Sequence, residues 1–138
     1  MSDGQFTILA ADDELSIHRL VQAALDGRGY HLVEAHNGDE ALEKALLDRP
    51  DMVILDVMMP GLNGWELTRY FRSKPEFKEM GILILTGIGE SLNDMTSPLY
   101  GADAYLDKPF ELDDLISKVE EVVSLVRGRQ AAAESSAG

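Results

Sequence analysis

Cysteine is absent from the 138-residue chain. That excludes a disulfide scaffold, a thiolate zinc site and a cysteine nucleophile. Long apolar runs are missing too: none approaches the ~18–20 residues of a membrane span, so no membrane insertion is expected. Basic residues are scarce. Twelve Lys and Arg face 25 Asp and Glu, for a formal charge of -13 and a pI near 4.4. Such a field repels phosphate backbones, which argues against direct nucleic-acid binding. Residues Met1 to Gln5 carry neither the basic nor the apolar region of a secretion signal, and a cytoplasmic setting is the expectation. What is present is apolar material, 45% of the chain, enough for the core of one ordinary domain.

Strand and helix patterns alternate. Phe6 to Ala11 is short, apolar and β-prone, like a strand buried on both faces. Glu14 to Arg28 carries Ile17, Leu20, Val21, Ala24 and Leu25 at helical spacing, and Gly27 and Gly29 end it. His31 to Ala35 is a weaker strand. Asn37-Gly38 opens a helix striped by Ala41, Leu42, Ala45 and Leu46 and stopped by Pro50. A strand at Met52 to Leu55 ends at Asp56, and a helix at Trp65 to Ser73 follows the Pro60–Gly64 loop. Ile82 to Leu85 is a fourth strand ending at Thr86. Gly89 to Tyr100 reads as a helix shortened or kinked by Pro98. Ala104 to Leu106 is a fifth strand, and Leu112 to Val126 mark a long last helix. Residues 128–138 are small and polar, and a disordered tail or the start of a linker is expected there. Crossovers long enough for helices demand a parallel sheet covered on both faces, with right-handed connections. The five-strand solution is a doubly wound α/β sheet of order 2-1-3-4-5, a flavodoxin-like three-layer sandwich.

Sheets of this kind bind ligands beyond the carboxyl ends of their strands, where strands 1 and 3 diverge. Here strand 1 runs into Asp12-Asp13 and strand 3 into Asp56. Three carboxylates at close quarters raise one another's pKa or require a cation. A hard divalent ion suits such oxygen donors: Mg²⁺, with Mn²⁺ as the alternative. Strand 4 brings Thr86 to the same edge and strand 5 brings Lys108. Acids, a hydroxyl and an ammonium at four strand ends fit a phosphoryl group with its metal. Nucleotide and flavin readings fit poorly. No G-x-G-x-x-G follows strand 1, no G-x-x-x-x-G-K-[ST] occurs anywhere, and Gly87-Ile88-Gly89 lacks a third spaced Gly. The acids after strand 1 would repel an FMN phosphate.

Taken singly, these residues have ordinary explanations. Asp12 could cap a helix, Thr86 could be a strand-end Thr, Lys108 a surface Lys, and Tyr105 a half-buried packing residue. Jointly they fall into four ordered motifs: Ala11-Asp12-Asp13-Glu14, Leu55-Asp56-Val57-Met58-Met59-Pro60-Gly61, Leu85-Thr86-Gly87 and Lys108-Pro109-Phe110. With these motifs the chain resembles the receiver domain of two-component response regulators, of the chemotaxis-receiver type. The resemblance runs from about Phe6 to Val126, so residues 1–127 are read as the receiver domain.

The resemblance implies a phosphorylation-driven switch. A histidine kinase or phosphotransfer protein would donate a phosphoryl group to Asp56. Asp12, Asp13, Asp56 and the backbone carbonyl of Met58 would hold Mg²⁺, Asp12 mainly through a metal-bound water. Lys108, preceding a cis Pro109, would pair with a phosphoryl oxygen. Thr86 would bond another, and Tyr105 would turn inward as the switch aromatic. Val57, Met58, Gly87 and Ile88 would neighbour the phosphate, with Met58 and Ile88 tuning its lifetime. The face built from the fourth helix, fifth strand and fifth helix would then bind an unidentified output protein. The charged pairs through which winged-helix members dimerise are largely missing, since Thr96, Ala104 and Leu125 stand at three of those positions and Asp114 and Lys118 are a remnant. A monomer is therefore expected.

The alternative is a Mg²⁺-dependent small phosphohydrolase using Asp56 as nucleophile. Haloacid-dehalogenase-type phosphatases place a second Asp two residues on, where this chain has Met58. The reading is accordingly a phosphoacceptor rather than a turnover enzyme. The histidines are assigned no role: His18 is expected to be solvated on the first helix, and His31 and His36 lack metal-ligand spacing.

Overall fold

The structure, a computed structural model, describes residues 5–87 and 101–137. The elements in order are β1 (Phe6–Ala11), α1 (Leu15–Leu25), β2 (Tyr30–Ala35), α2 (Gly38–Asp48), β3 (Met52–Asp56) and α3 (Gly64–Arg72). A 3₁₀ turn at Pro75–Phe77, β4 (Gly81–Thr86), β5 (Ala104–Asp107) and a final helix (Leu112–Ala137) follow. The helix expected at 89–100, and Ile88 with it, lies outside the described residues. All strand pairings are parallel, in the order β2-β1-β3-β4-β5 expected from the crossovers.

Side-chain alternation divides the core between the two faces of the sheet. Ile8, Ala10, Ile54, Leu83 and Leu85 face α1 and the final helix, packing on Val21, Leu25, Leu115, Val119 and Val122. Leu9, Ala11, Val53, Leu55, Ile82 and Ile84 face the other way, onto Ala41, Ala45, Leu67 and Phe71 of α2 and α3. β3 and β4 are wholly buried, which explains why they read as unbroken apolar runs. Two helix starts are capped by Asn: Asn37 accepts from the Glu40 amide, and Asn63 forms a reciprocal capping box with Glu66. Gly38 and Gly64 let those starts close on the loop after β3. A Cβ on Gly38 would sit 1.7 Å from the Leu62 carbonyl oxygen, and one on Gly64 2.8 Å from that of Asp56.

The structure corrects one expectation about the end of the chain. Residues 128–137 do not leave the fold as a disordered tail; they continue the final helix. Arg129, Gln130 and Ala131 to Ala133 are favourable helix formers. Arg129 also pairs with Asp103, and Gln130 donates to Asp51 at 3.0 Å. Asp103 is the centre of a larger junction. It accepts from Arg72 at 3.0 Å and from the Ile82 amide at 2.9 Å. Arg72 in turn donates to the carbonyls of Gly101 and Met80 at 2.8 and 2.7 Å. Replacing Asp103 with Ala would leave two guanidinium groups facing each other without their shared carboxylate. The expected loss is about 2–4 kcal/mol, read as a lower urea midpoint with an unchanged m-value.

Candidate functional site

The carboxyl ends of β1 and β3 lie side by side, with Ala11 opposite Leu55. The next residues of each strand therefore enter the same space. Carboxylate oxygens of Asp12, Asp13 and Asp56 all lie within 4.8 Å of one another. Asp12 and Asp56 are buried, while Asp13 is exposed. β5 delivers Lys108 from the opposite edge. Its ammonium reaches Asp12 and Glu14 at 2.9 Å each and Asp56 at 3.4 Å. The Lys108–Pro109 peptide is cis.

Burial dominates the electrostatics. It pushes the Asp56 carboxyl up to about 6, helped by the negative charge of Asp12 and opposed by Lys108 and the Met58 amide. Burial likewise raises Asp12, against the Glu14 amide and Lys108. Burial alone would lower Lys108, but its hydrogen bonds to Asp12 and Glu14 and the field of Asp56 outweigh that and hold it above the usual lysine range. The donor set is thus three closely spaced carboxylates, two of them desolvated and destabilised as anions. A small hard cation with oxygen ligands fits that chemistry.

The remaining expected residues occupy the rim. Val57 is buried, with its amide donating to Leu85 and its carbonyl accepting from Gly64. Met58 donates its amide to Asp56 at 3.4 Å and projects its side chain into solvent, 70% exposed. Gly87, Lys108, Pro109 and Phe110 line a groove of about 450 Å³, whose other wall is Ile17 and Leu20 of α1. Thr86 is fully buried, and its hydroxyl donates to Asp107 at 2.5 Å rather than to the acid cluster. Tyr105 is half-buried beside Trp65, ring centroids 6.2 Å apart.

One expectation fails outright. His18 is not solvated but 2% exposed. It hydrogen-bonds the Asp12 carbonyl and the Glu34 carboxylate. The signal was present: His18 lies three residues before Val21 and seven before Leu25, on the edge of the buried stripe of α1. Glu14 and Asp107, the partners of Lys108 and Thr86, have no role in the sequence reading, although Glu14 stands in the first motif and Asp107 adjoins the last.

With fold and site in place, comparison with known proteins gives the class. The response regulator receiver domain family matches residues 8–120, and the chain belongs to that family, the receivers of two-component systems. Response regulator MprA of Mycobacterium leprae is 38% identical over 126 residues, covering 91% of this chain and 54% of that protein. Transcriptional regulatory protein ResD of Bacillus subtilis is 39% identical over 116 residues, covering 84% and 47%. The chain thus spans about half the length of these curated relatives. Among solved structures, the chemotaxis response regulator CheY4 of Vibrio cholerae is 34% identical with a TM-score of 0.77, covering 86% of this chain and 98% of that one.

The raised Asp56 carboxyl has a consequence for stability. A carboxyl raised on folding binds its proton more tightly in the native state, so its contribution worsens as pH rises through about 6. At neutral pH without divalent ions, Asp56→Asn should therefore be more stable than the parent by about 1–3 kcal/mol. The difference should shrink as pH falls through about 4 and approach zero only below the ordinary Asp range, where Asp56 is protonated in both folded and unfolded chains. Paired urea titrations in EDTA across that range measure it.

Proposed function

We propose that Asp56 is the phosphoacceptor of a signalling switch. The observation that carries this reading is the placement of one desolvated carboxylate between two further acids and an ammonium, at the strand ends where the family's motifs coincide. An Asp56 oxygen would attack phosphorus in a phosphohistidine of a histidine kinase or phosphotransfer protein. The P–N bond breaks, its electron pair stays with the imidazole, and an acyl phosphate forms. Lys108, already 3.4 Å from Asp56, is placed to neutralise an oxygen of the arriving group. Mg²⁺ held by Asp12, Asp13, Asp56 and the Met58 carbonyl would screen the repulsion between carboxylate and phosphoryl oxygens. The groove beside Lys108, with Ile17, Leu20 and Phe110 in its walls, offers apolar contact to the donor protein.

Thr86 would exchange Asp107 for a phosphoryl oxygen, and Tyr105 would follow it as the switch aromatic. Val57, Gly87 and Ile88 would border the phosphate. Nothing at Met58 can orient or deprotonate an attacking water, help that is worth on the order of 10²-fold in general base catalysis. The acyl phosphate is accordingly expected to be long-lived, which suits an acceptor rather than a turnover enzyme. We place the chain in the cytoplasm as a monomer that carries the signal to an output protein and makes no direct contact with nucleic acid.

Asp56→Asn should abolish labelling by a small phosphoramidate in Mg²⁺, and excess EDTA should suppress labelling of the parent. Normal labelling of the variant would place the acceptor elsewhere. After donor removal, the Met58→Asn protein should lose its label faster than the parent; equal decay would remove Met58 from the lifetime argument.

A further inference from the structure

Asp13 differs from the other two acids of the cluster. Asp12 has every polar atom engaged. Its amide donates to Ala35 at 3.2 Å, one carboxylate oxygen accepts from the Glu14 amide at 2.9 Å, and the other from Lys108 at 2.9 Å. Its carbonyl accepts from His18 Nε2 at 2.7 Å. Asp56 has Lys108 and the Met58 amide. Asp13 is exposed, and no hydrogen bond or ion pair holds its side chain among the described residues. What aims the Asp13 carboxylate is the backbone that carries it.

The Asp12 carbonyl and the Asp13 amide belong to one rigid peptide plane. A hydrogen bond that fixes the carbonyl therefore also fixes the direction in which the chain enters Asp13. His18 supplies that bond from the buried side, 2% exposed. Its ring is itself held: Nδ1 lies 3.1 Å from Glu34 Oε2, and the same oxygen accepts from Gln22 at 2.9 Å. Glu34 lies on β2, and its own carbonyl accepts from Lys44 at 2.6 Å. The ring of His36 packs against that of His18, centroids 4.8 Å apart. A chain of fixed contacts thus runs from the outer strand, through the imidazole, to the peptide between the first two acids.

We infer that His18 is a positioning residue for the cation site, orienting the Asp12–Asp13 peptide so that the exposed Asp13 carboxylate points into the cluster. This rests on the acceptor reading above, since that reading supplies the cation. Partners that orient metal ligands from behind commonly govern affinity by 10–100-fold when lost. An effect of that size is expected here even though the bond is to a ligand's backbone.

The test is a calorimetric titration of the full chain with MgCl₂, without any phosphoryl donor. His18→Phe keeps the ring and its packing and removes both hydrogen bonds. It should bind Mg²⁺ about tenfold more weakly or worse, whereas His18→Gln, whose amide can still donate to the Asp12 carbonyl, should recover most of the loss. Glu34→Ala leaves the imidazole in place but frees its rotation, and should give a smaller loss in the same direction. It serves in place of His18→Phe should that variant not fold. A purely structural histidine would lower the melting temperature and leave the Mg²⁺ affinity of the folded protein unchanged. Parent-like affinity in His18→Phe, or in Glu34→Ala where that is the variant read, overturns the assignment while leaving the acceptor reading standing. A parent that takes up no Mg²⁺ overturns both.

Discussion

The Lys108 ammonium reaches carboxylate oxygens of Asp12, Glu14 and Asp56, and it is the one cation that holds this edge of the sheet together among the described residues. β1, β3 and β5 each contribute a charged group that would be costly to bury alone. Their mutual proximity makes the arrangement tolerable, but one ammonium cannot neutralise so many acids. Burial, with the charge of Asp12 added, leaves the Asp56 carboxyl pushed up to about 6. The register of β1 on β3, the glycines that draw α2 and α3 onto the strand ends, and the cap at Asn63 all serve to keep these groups within a few ångströms of one another.

Much of this was legible in the sequence because it rests on local rules. Apolar runs bounded by Gly, Pro and Asn mark buried strands and helix starts, and parallel topology follows from crossover length. The acids could be placed at one edge because each directly follows a strand. Less legible were the interactions between residues far apart in sequence and unmarked by periodicity. Arg72, Asp103 and Arg129 form one junction, but each alone looks like a surface charge. His18 was misread because a polar residue at the border of a helical stripe can face either way. Its burial depends on Glu34, sixteen residues on. The final helix ran past its apolar stripe because Arg129 and Gln130 find partners on the body of the fold, and a stripe reports only apolar packing.

The two ends of the sheet are organised differently. At the amino ends, Asp51 and Asp103 accept from backbone amides and from the final helix, and Arg72 satisfies loop carbonyls. Carboxylates there have matched donors, which makes that end a joint. At the carboxyl ends, acids outnumber donors. The imbalance is what suits that edge to a positively charged ligand, whereas at the opposite ends Asp51 and Asp103 already have their donors.

The bond from Thr86 to Asp107 has a quieter implication. A hydroxyl that already donates to an anionic oxygen gives up a charge-assisted hydrogen bond when it turns elsewhere. If its new acceptor is also an anion, the exchange is like for like, and the exposed Asp107 is rehydrated at little expense. The direction of such an exchange is set by small differences in distance and solvation, not by one large gain. On the switch reading proposed for Thr86, its two arrangements would lie close in energy, with Asp107 as the counterweight. On that same reading, an apolar residue at position 107 would tilt the balance while leaving Asp12, Asp13, Asp56 and Lys108 unchanged.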